Sequence, residues 1–270
     1  MHADILSYAR RVRATWLTDI HLNFLRPLAL RAFYERVRRE SPEVLLVTGD
    51  IGESDSVARF VEQLSAIAPV YYVLGNHDYY RSSIDAVREQ LPTGWLPAMQ
   101  PLQLTERTVL LGVDGWGDAR CGDLASQVQL SDWQLIADFE PVRYDRAARI
   151  KLLEDLGTSE AFALGELLAR APASDTLVVL THVPPFPEAC VYADAQSEPA
   201  WLPWFTCIAT GEVLAEYARA HPQKHIIVLC GHSHGASVCH PEPNLEVRTG
   251  GWPAGVDEYG NPIVQATLEL

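Results

Sequence analysis

The sequence predicts an α/β fold, and three observations carry that expectation. Short apolar runs recur without polar alternation, segments of helical spacing lie between them, and two strand-like segments close the chain.

The runs are EVLLVTGD (43–50), VYYVLGNHD (70–78), TLVVLTH (176–182) and HIIVLCGHSH (225–234). Near-continuous apolar runs of this length suit strands covered on both faces. The segments at about 28–40, 55–67, 159–171 and 211–221 carry helical spacing and good helix formers. Strands alternating with such segments argue an α/β domain. NLEVRTGG (244–251) and IVQATLEL (263–270), joined by the turn-forming EYGNP, predict a terminal hairpin and therefore antiparallel pairing at the C-terminal end. Residues 115–157 have mixed polarity and no readable period. The Pro- and Trp-rich stretch 183–206 is longer than ordinary connections and is assigned as a substrate-side loop within a single domain spanning 1–270.

With 48% hydrophobic and 21% charged residues, the composition is that of an ordinary folded protein. No stretch approaches the run of about 18 apolar residues that spans a bilayer, and the N-terminal residues lack the apolar segment of a signal peptide. A cytoplasmic location with no membrane partner is expected. Five cysteines, without any C-x-x-C pair, suggest neither a disulfide framework nor a zinc knuckle. A formal charge of -14 disfavours long nucleic acid, whose binding rests on many Lys and Arg contacts to phosphates. No heptad or self-complementary stretch marks an oligomer.

The apolar runs end alike. WLTDIH ends in Asp19 and His21, LLVTGD in Asp50, and VYYVLGNHD in Asn76, His77 and Asp78. LVVLTH ends in His182, and IIVLCGHSH in His232 and His234. The carboxyl ends of strands in an α/β sheet share one edge, so groups attached there converge however distant in sequence. Gly49, Gly75 and Gly231 precede these groups, where the chain is expected to turn sharply. A lone histidine beside a core strand is ordinary. Such a gathering of imidazoles, carboxylates and an amide without a cation would hold costly buried polar groups. Imidazole, carboxylate and amide donors without thiolate suit Mn, Fe, Zn or Ni, and there are enough of them for two ions.

Taken in order, D-x-H, G-D, G-N-H-D, a lone His after a strand and G-H-x-H resemble the motifs of the calcineurin-like metallophosphoesterase superfamily, across residues 19–234. The resemblance implies a four-layer sandwich of two mixed β-sheets flanked by helices. It also implies two divalent or trivalent transition-metal ions (Mn, Fe, Zn or Ni). One would be held by Asp19, His21, Asp50 and His234, and the other by Asp50, Asn76, His182 and His232, with Asp50 bridging. The implied nucleophile is a metal-bridging hydroxide. His77 would act on the leaving-group side, as an acid or a stabilising cation, and Asp78 would orient it.

The protein phosphatases of this superfamily resemble GD-x-V-D-R-G and R-G-N-H-E at the second and third motifs. This chain reads GDIGESD and LGNHD, without their phosphate-gripping arginines, for which Arg81 or Arg120 would have to substitute. The expected activity is that of a phosphodiesterase on a small soluble phosphate ester. The alternatives are a phosphomonoesterase or nuclease of the same superfamily, a hydrolase of another bond, and a non-catalytic metal-binding interaction protein with this fold.

Overall fold

Within each apolar run the side chains alternate between two different cores, which is why no polar residue interrupts them. The computed structural model describes residues 11–251 and 264–270. In chain order it contains β1 (Arg13–Leu17), α1 (Pro27–Arg39), β2 (Val44–Thr48), α2 (Asp55–Ser65), β3 (Val70–Val73) and α3 (Ile84–Arg88). Next come β4 (Leu102–Gln103), β5 (Thr108–Gly112), α4 (Asp132–Leu135), α5 (Arg146–Arg170) and β6 (Thr176–Leu180). The chain continues through β7 (Val191–Tyr192), β8 (Ala195–Gln196), α6 (Leu202–Phe205), α7 (Ile208–Ala220) and β9 (His225–Cys230). It finishes with β10 (Ser237–Glu242), β11 (Leu245–Thr249) and β12 (Ala266–Glu269).

One sheet has the order β12-β1-β2-β3, the other β10-β11-β9-β6-β5-β4, and β7-β8 forms a separate hairpin. Strands β1, β2 and β3 are parallel, with β12 antiparallel at the edge. In the second sheet β11, β9, β6 and β5 are parallel, and β10 and β4 run antiparallel at its two edges. Both sheets are therefore mixed.

Trp16, Leu46 and Val73 of the first sheet meet Leu110, Val178 and Leu229 of the second in a core between the sheets. Their alternate neighbours Leu45, Val47 and Tyr72 face outward, against Phe33 and Val37 of α1 and Phe60 and Val61 of α2. Leu177, Val179, Ile226 and Val228 likewise pack against Leu164 and Leu168 of α5 and Leu214 and Ala218 of α7. The result is the expected four-layer sandwich. Each fully buried side chain of this kind contributes about 1.5–3 kcal/mol.

Two sequence expectations differ from the structure. Segments 244–251 and 263–270 do not form a hairpin: β11 pairs with β10 and β9, whereas β12 pairs with β1 in the other sheet. Leu245 and Val247 fill the core beneath α5 and α7, while Leu268 enters the core between the sheets. The EYGNP turn itself lies outside the described residues. The helix expected at 159–171 is the second half of α5, which starts at Arg146, where the Asp145 side chain accepts from the Ala148 amide at 3.0 Å. A buried charge conceals the period of its first half: the Arg149 guanidinium lies 4.3 Å from the Trp133 ring centroid. Among the described residues no helix is long and apolar enough to cross a membrane. All five cysteines are free thiols.

Candidate metal centre

The strand ends bend abruptly. Asp19 (φ 49°), His21 (41°), Asp50 (51°), His232 (66°) and His234 (62°) all take left-handed backbone conformations. For residues other than glycine this region is sparsely used, though Asp and His are enriched in it, and each costs of order 1–3 kcal/mol. The bends turn these side chains across the seam between the sheets. Two glycines serve close approach rather than the sharp turn expected of them. A Cβ on Gly75 would lie 2.2 Å from Asp50 Oδ1, and one on Gly231 would lie 2.2 Å from Asp19 Oδ2.

Asp50 stands in the middle. Its Oδ1 lies 3.5 Å from His182 Nε2 and its Oδ2 lies 3.7 Å from His21 Nε2. Asp19 Oδ1 is 3.5 Å from His234 Nε2. Donor atoms of Asp19, His21 and His234 lie within 4.8 Å of one another. The same spacing joins Asp19, Asp50 and His182, and also His21, Asp50 and His77. Asn76 Oδ1 is 3.3 Å from His182 Nε2. The His232 ring lies 5.0 Å from that of His182, and the His77 ring 4.7 Å from that of His21. All seven expected ligands and His77 thus gather in one place, with His77 among the potential donors.

The donor set fits a cation. His182 Nδ1 donates to the Thr48 carbonyl at 2.8 Å, so Nε2 is the atom that faces the site and carries a lone pair whenever the ring is neutral. Asn76 Nδ2 donates to Asp132 Oδ1 at 2.8 Å, so its Oδ1 faces His182. With the ring neutral, two lone pairs confront each other, an arrangement that a cation between them relieves as well as a proton does. His232 Nε2, His21 Nδ1 and His77 Nδ1 are buried without a hydrogen-bond partner. Buried polar atoms are otherwise almost always bonded.

Charge follows the same logic. Burial works to raise Asp19, yet the His234 hydrogen bond and the His182 charge hold it below the usual carboxylate range. Asp50 is likewise held down against burial by His182, His77 and His21. His182 and His234 are raised despite burial, the first by the charges of Asp50 and Asp19 and the second by its bond to Asp19. Burial, followed by the charge of His182, pushes His232 down to about 3. The carboxylates remain ionised, ready to hold positive charge.

Asp78 departs from its expected role. Its Oδ1 accepts from the Ile51 and Gly52 amides at 2.8 and 2.9 Å, and its Oδ2 from the Gly75 amide at 2.8 Å. It ties the β2 and β3 loops together and makes no bond to His77. The His77 ring is instead placed by Tyr80, stacked on it at 4.3 Å, while its backbone amide donates to Asp50 Oδ1 at 3.0 Å. Arg81 and Arg120, the candidate substitutes for the missing arginines, are paired with Glu53 and Asp118, each at 2.9 Å.

Two supporting carboxylates escaped the sequence reading. Asp132, on α4, accepts from Asn76 and, at 2.7 Å, from the Tyr80 hydroxyl. Asp114 follows β5 and accepts from the Leu74 amide, Trp95 Nε1, the Tyr79 hydroxyl and Arg88. For Asp114 a signal existed, since TVLLGVD (108–114) is another apolar run ending in an acid. The local sequence around Asp132 carries none.

A cavity of about 540 Å³ opens beside the donors, walled by His232, His234, Trp201, Phe205 and the β7–β8 hairpin. A larger cavity of about 890 Å³ lies among the C-terminal ends of α5 and α7, beside Asp175 and Lys224. Those two residues precede β6 and β9, at the end of the sheet away from the donors.

A family model described as calcineurin-like phosphoesterase matches residues 12–236. No curated protein sequence matches the chain. Among solved structures, a phosphopantetheinyl hydrolase from Mycobacterium tuberculosis superposes with a TM-score of 0.64 at 16% identity, covering 91% of each chain. A dimetal phosphatase from Danio rerio superposes with a TM-score of 0.59 at 13% identity, covering 96% of this chain and 92% of that one. At such identity the likeness is one of fold.

Proposed function

The chain belongs to the calcineurin-like phosphoesterase family and is a metal-dependent phosphoesterase, and from that premise we propose a dinuclear phosphodiesterase acting on a small substrate. The observation that carries this reading is the position of Asp50, whose two carboxylate oxygens face different histidines, His182 at 3.5 Å and His21 at 3.7 Å. One ion would be held by Asp19, His21, Asp50 and His234, the other by Asp50, Asn76, His182 and His232. When bound, such ions polarise phosphoryl oxygens and lower the pKa of water.

The chain's own residues supply the rest. His77, stacked on Tyr80 and set against His21, delivers a proton to the departing ester oxygen. Asp78 fixes the loop that carries it, through three backbone amides. Trp201 and Phe205 form the wall of the cavity on the side of His232. Neither Lys nor Arg is among the described residues lining that cavity, and Arg81 and Arg120 are paired with acids. A monoester dianion needs more positive charge than a diester monoanion, so the diester is preferred.

The test is hydrolysis of bis(p-nitrophenyl) phosphate and p-nitrophenyl phosphate by chelator-stripped protein, before and after Mn is added, with Asp50→Asn as control. Metal-restored activity, faster on the diester and lost in the variant, is expected. Absence of turnover with Mn, Fe, Ni and Zn alike overturns the proposal.

A further inference from the structure

The 540 Å³ cavity has a composition of its own. Phe205 stacks on His232 at 4.3 Å and 27°, and Trp201 meets Phe205 edge-on at 5.5 Å and 82°. The aromatic surface therefore starts at a proposed metal ligand and runs outward without a break. Trp201 is nonetheless 42% exposed, and Tyr192, which lines the same cavity, is 62% exposed. Large aromatics left open in a concave site beside reactive groups mark ligand contact, whereas scattered exposed apolar residues do not.

The backbone holds this surface in place. The Trp204 amide donates to the Trp201 carbonyl at 3.0 Å, and the Ala119 amide donates to the Pro203 carbonyl at 2.9 Å. On the other side, Ala193 and Asp194 take left-handed conformations (φ 47° and 62°), as a tight two-residue hairpin turn requires, and so fix Tyr192. Among the described residues lining this cavity Glu198 is the acidic one, and it repels a second anionic group. An aromatic face beside an acid selects a flat partner without negative charge.

We infer that this cavity is a specificity subsite that stacks an uncharged planar ring, a nucleobase or aryl group, carried on one ester arm of the substrate, with Trp201 as its main platform. The inference rests on the phosphodiesterase reading for the position of the phosphate, which lies at the donor cluster while the ring lies on Trp201. A ring stacked on an aromatic side chain is recognised by its face, so the subsite tolerates several rings and rejects an alkyl arm.

Calorimetric titration of the metal-loaded protein with thymidine 5′-monophosphate and with ethyl phosphate compares a ring-bearing arm with an alkyl one on the same phosphate. Thymidine 5′-monophosphate should bind more tightly. Trp201→Ala should weaken it about 5- to 100-fold while changing ethyl phosphate less than about twofold, and Trp201→Phe should retain most of the difference. Tyr192→Ala, at an exposed position, should weaken the ring-bearing ligand alone. Equal affinity of the two ligands, or equal weakening of both in these variants, overturns the inference. Turnover of bis(p-nitrophenyl) phosphate is measured on the same preparations. Its absence would remove the hydrolase reading while leaving the ring preference to stand or fall on the titration.

Discussion

Asn76 donates from Nδ2 to Asp132 at 2.8 Å, and that bond decides which end of its amide faces His182. The same carboxylate oxygen accepts from Tyr80, whose ring carries the stacked His77 imidazole. One acid on α4 thus sets both a proposed metal donor and the proposed proton donor. Asp132→Ala should lower metal affinity or turnover about 10- to 100-fold, the usual effect of losing a partner that orients a ligand. Metal titration of the purified variant checks this, and unchanged affinity with unchanged turnover would refute it.

His77 should matter most where the leaving group is poor. In His77→Gln, kcat on an alkyl diester should fall about 100-fold or more, with a smaller loss on p-nitrophenyl esters, whose leaving group needs little protonation. Metal content measured by elemental analysis should stay at the wild-type value. Equal losses on both substrates would show that His77 does not deliver the proton.

Removing the metal should leave buried donors facing one another. The chelator-stripped protein should melt about 5–10 °C below protein carrying Mn at roughly 100 times its dissociation constant. Asp50→Asn should show little of that difference. Thermal denaturation with and without chelator measures it, and a melting point indifferent to metal would contradict the donor assignment.

Gly75 and Gly165 predict opposite outcomes for the same substitution. A Cβ at Gly75 would meet Asp50 Oδ1 at 2.2 Å, so Gly75→Ala should displace that carboxylate and abolish metal-dependent activity. A Cβ at Gly165, within α5, would meet nothing within 4 Å, so Gly165→Ala should stabilise by about 0.4–1 kcal/mol with activity unchanged. Denaturant titration and turnover of the two variants decide both.

Burial, followed by the charge of Asp114 and opposed by Arg88, pushes Glu160 up to about 7 from its ordinary 4.5. The folded protein keeps a proton there that the unfolded chain has already released. Stability conferred by this group is therefore present at low pH and is lost as pH rises from about 4.5 to 7. Glu160→Gln removes the slope: wild type should lose about 1–3 kcal/mol relative to the variant between pH 5 and pH 8. Urea denaturation at the two pH values measures the difference, and a constant or growing wild-type advantage would exclude the effect.

What the sequence disclosed follows from where chemistry meets regular structure. The gathering of Asp19, His21, Asp50, Asn76, His182, His232 and His234 was legible because parallel strands carry their ends to one edge whatever the loops do. Asp132 was not, because its role depends on where α4 lands, and no local pattern encodes that. Arg149 is buried against Trp133, so the first half of α5 lacks the apolar stripe that announces a helix. The terminal segments read as a hairpin because turn chemistry is local, whereas their true partners β9, β10 and β1 are not. Asp78 shows a further limit: adjacency to His77 in the chain placed its carboxylate on the backbone instead.

The donors come from both sheets: Asp19, His21, Asp50 and Asn76 follow β1, β2 and β3, while His182, His232 and His234 follow β6 and β9. Neither layer owns the centre, so an ion held by the proposed donors would be a rivet through the sandwich. Trimming Val178, buried midway between the layers, should register first as faster ion loss, well before any helix unwinds. Ion release then becomes a clock for the parting of the two halves of the molecule.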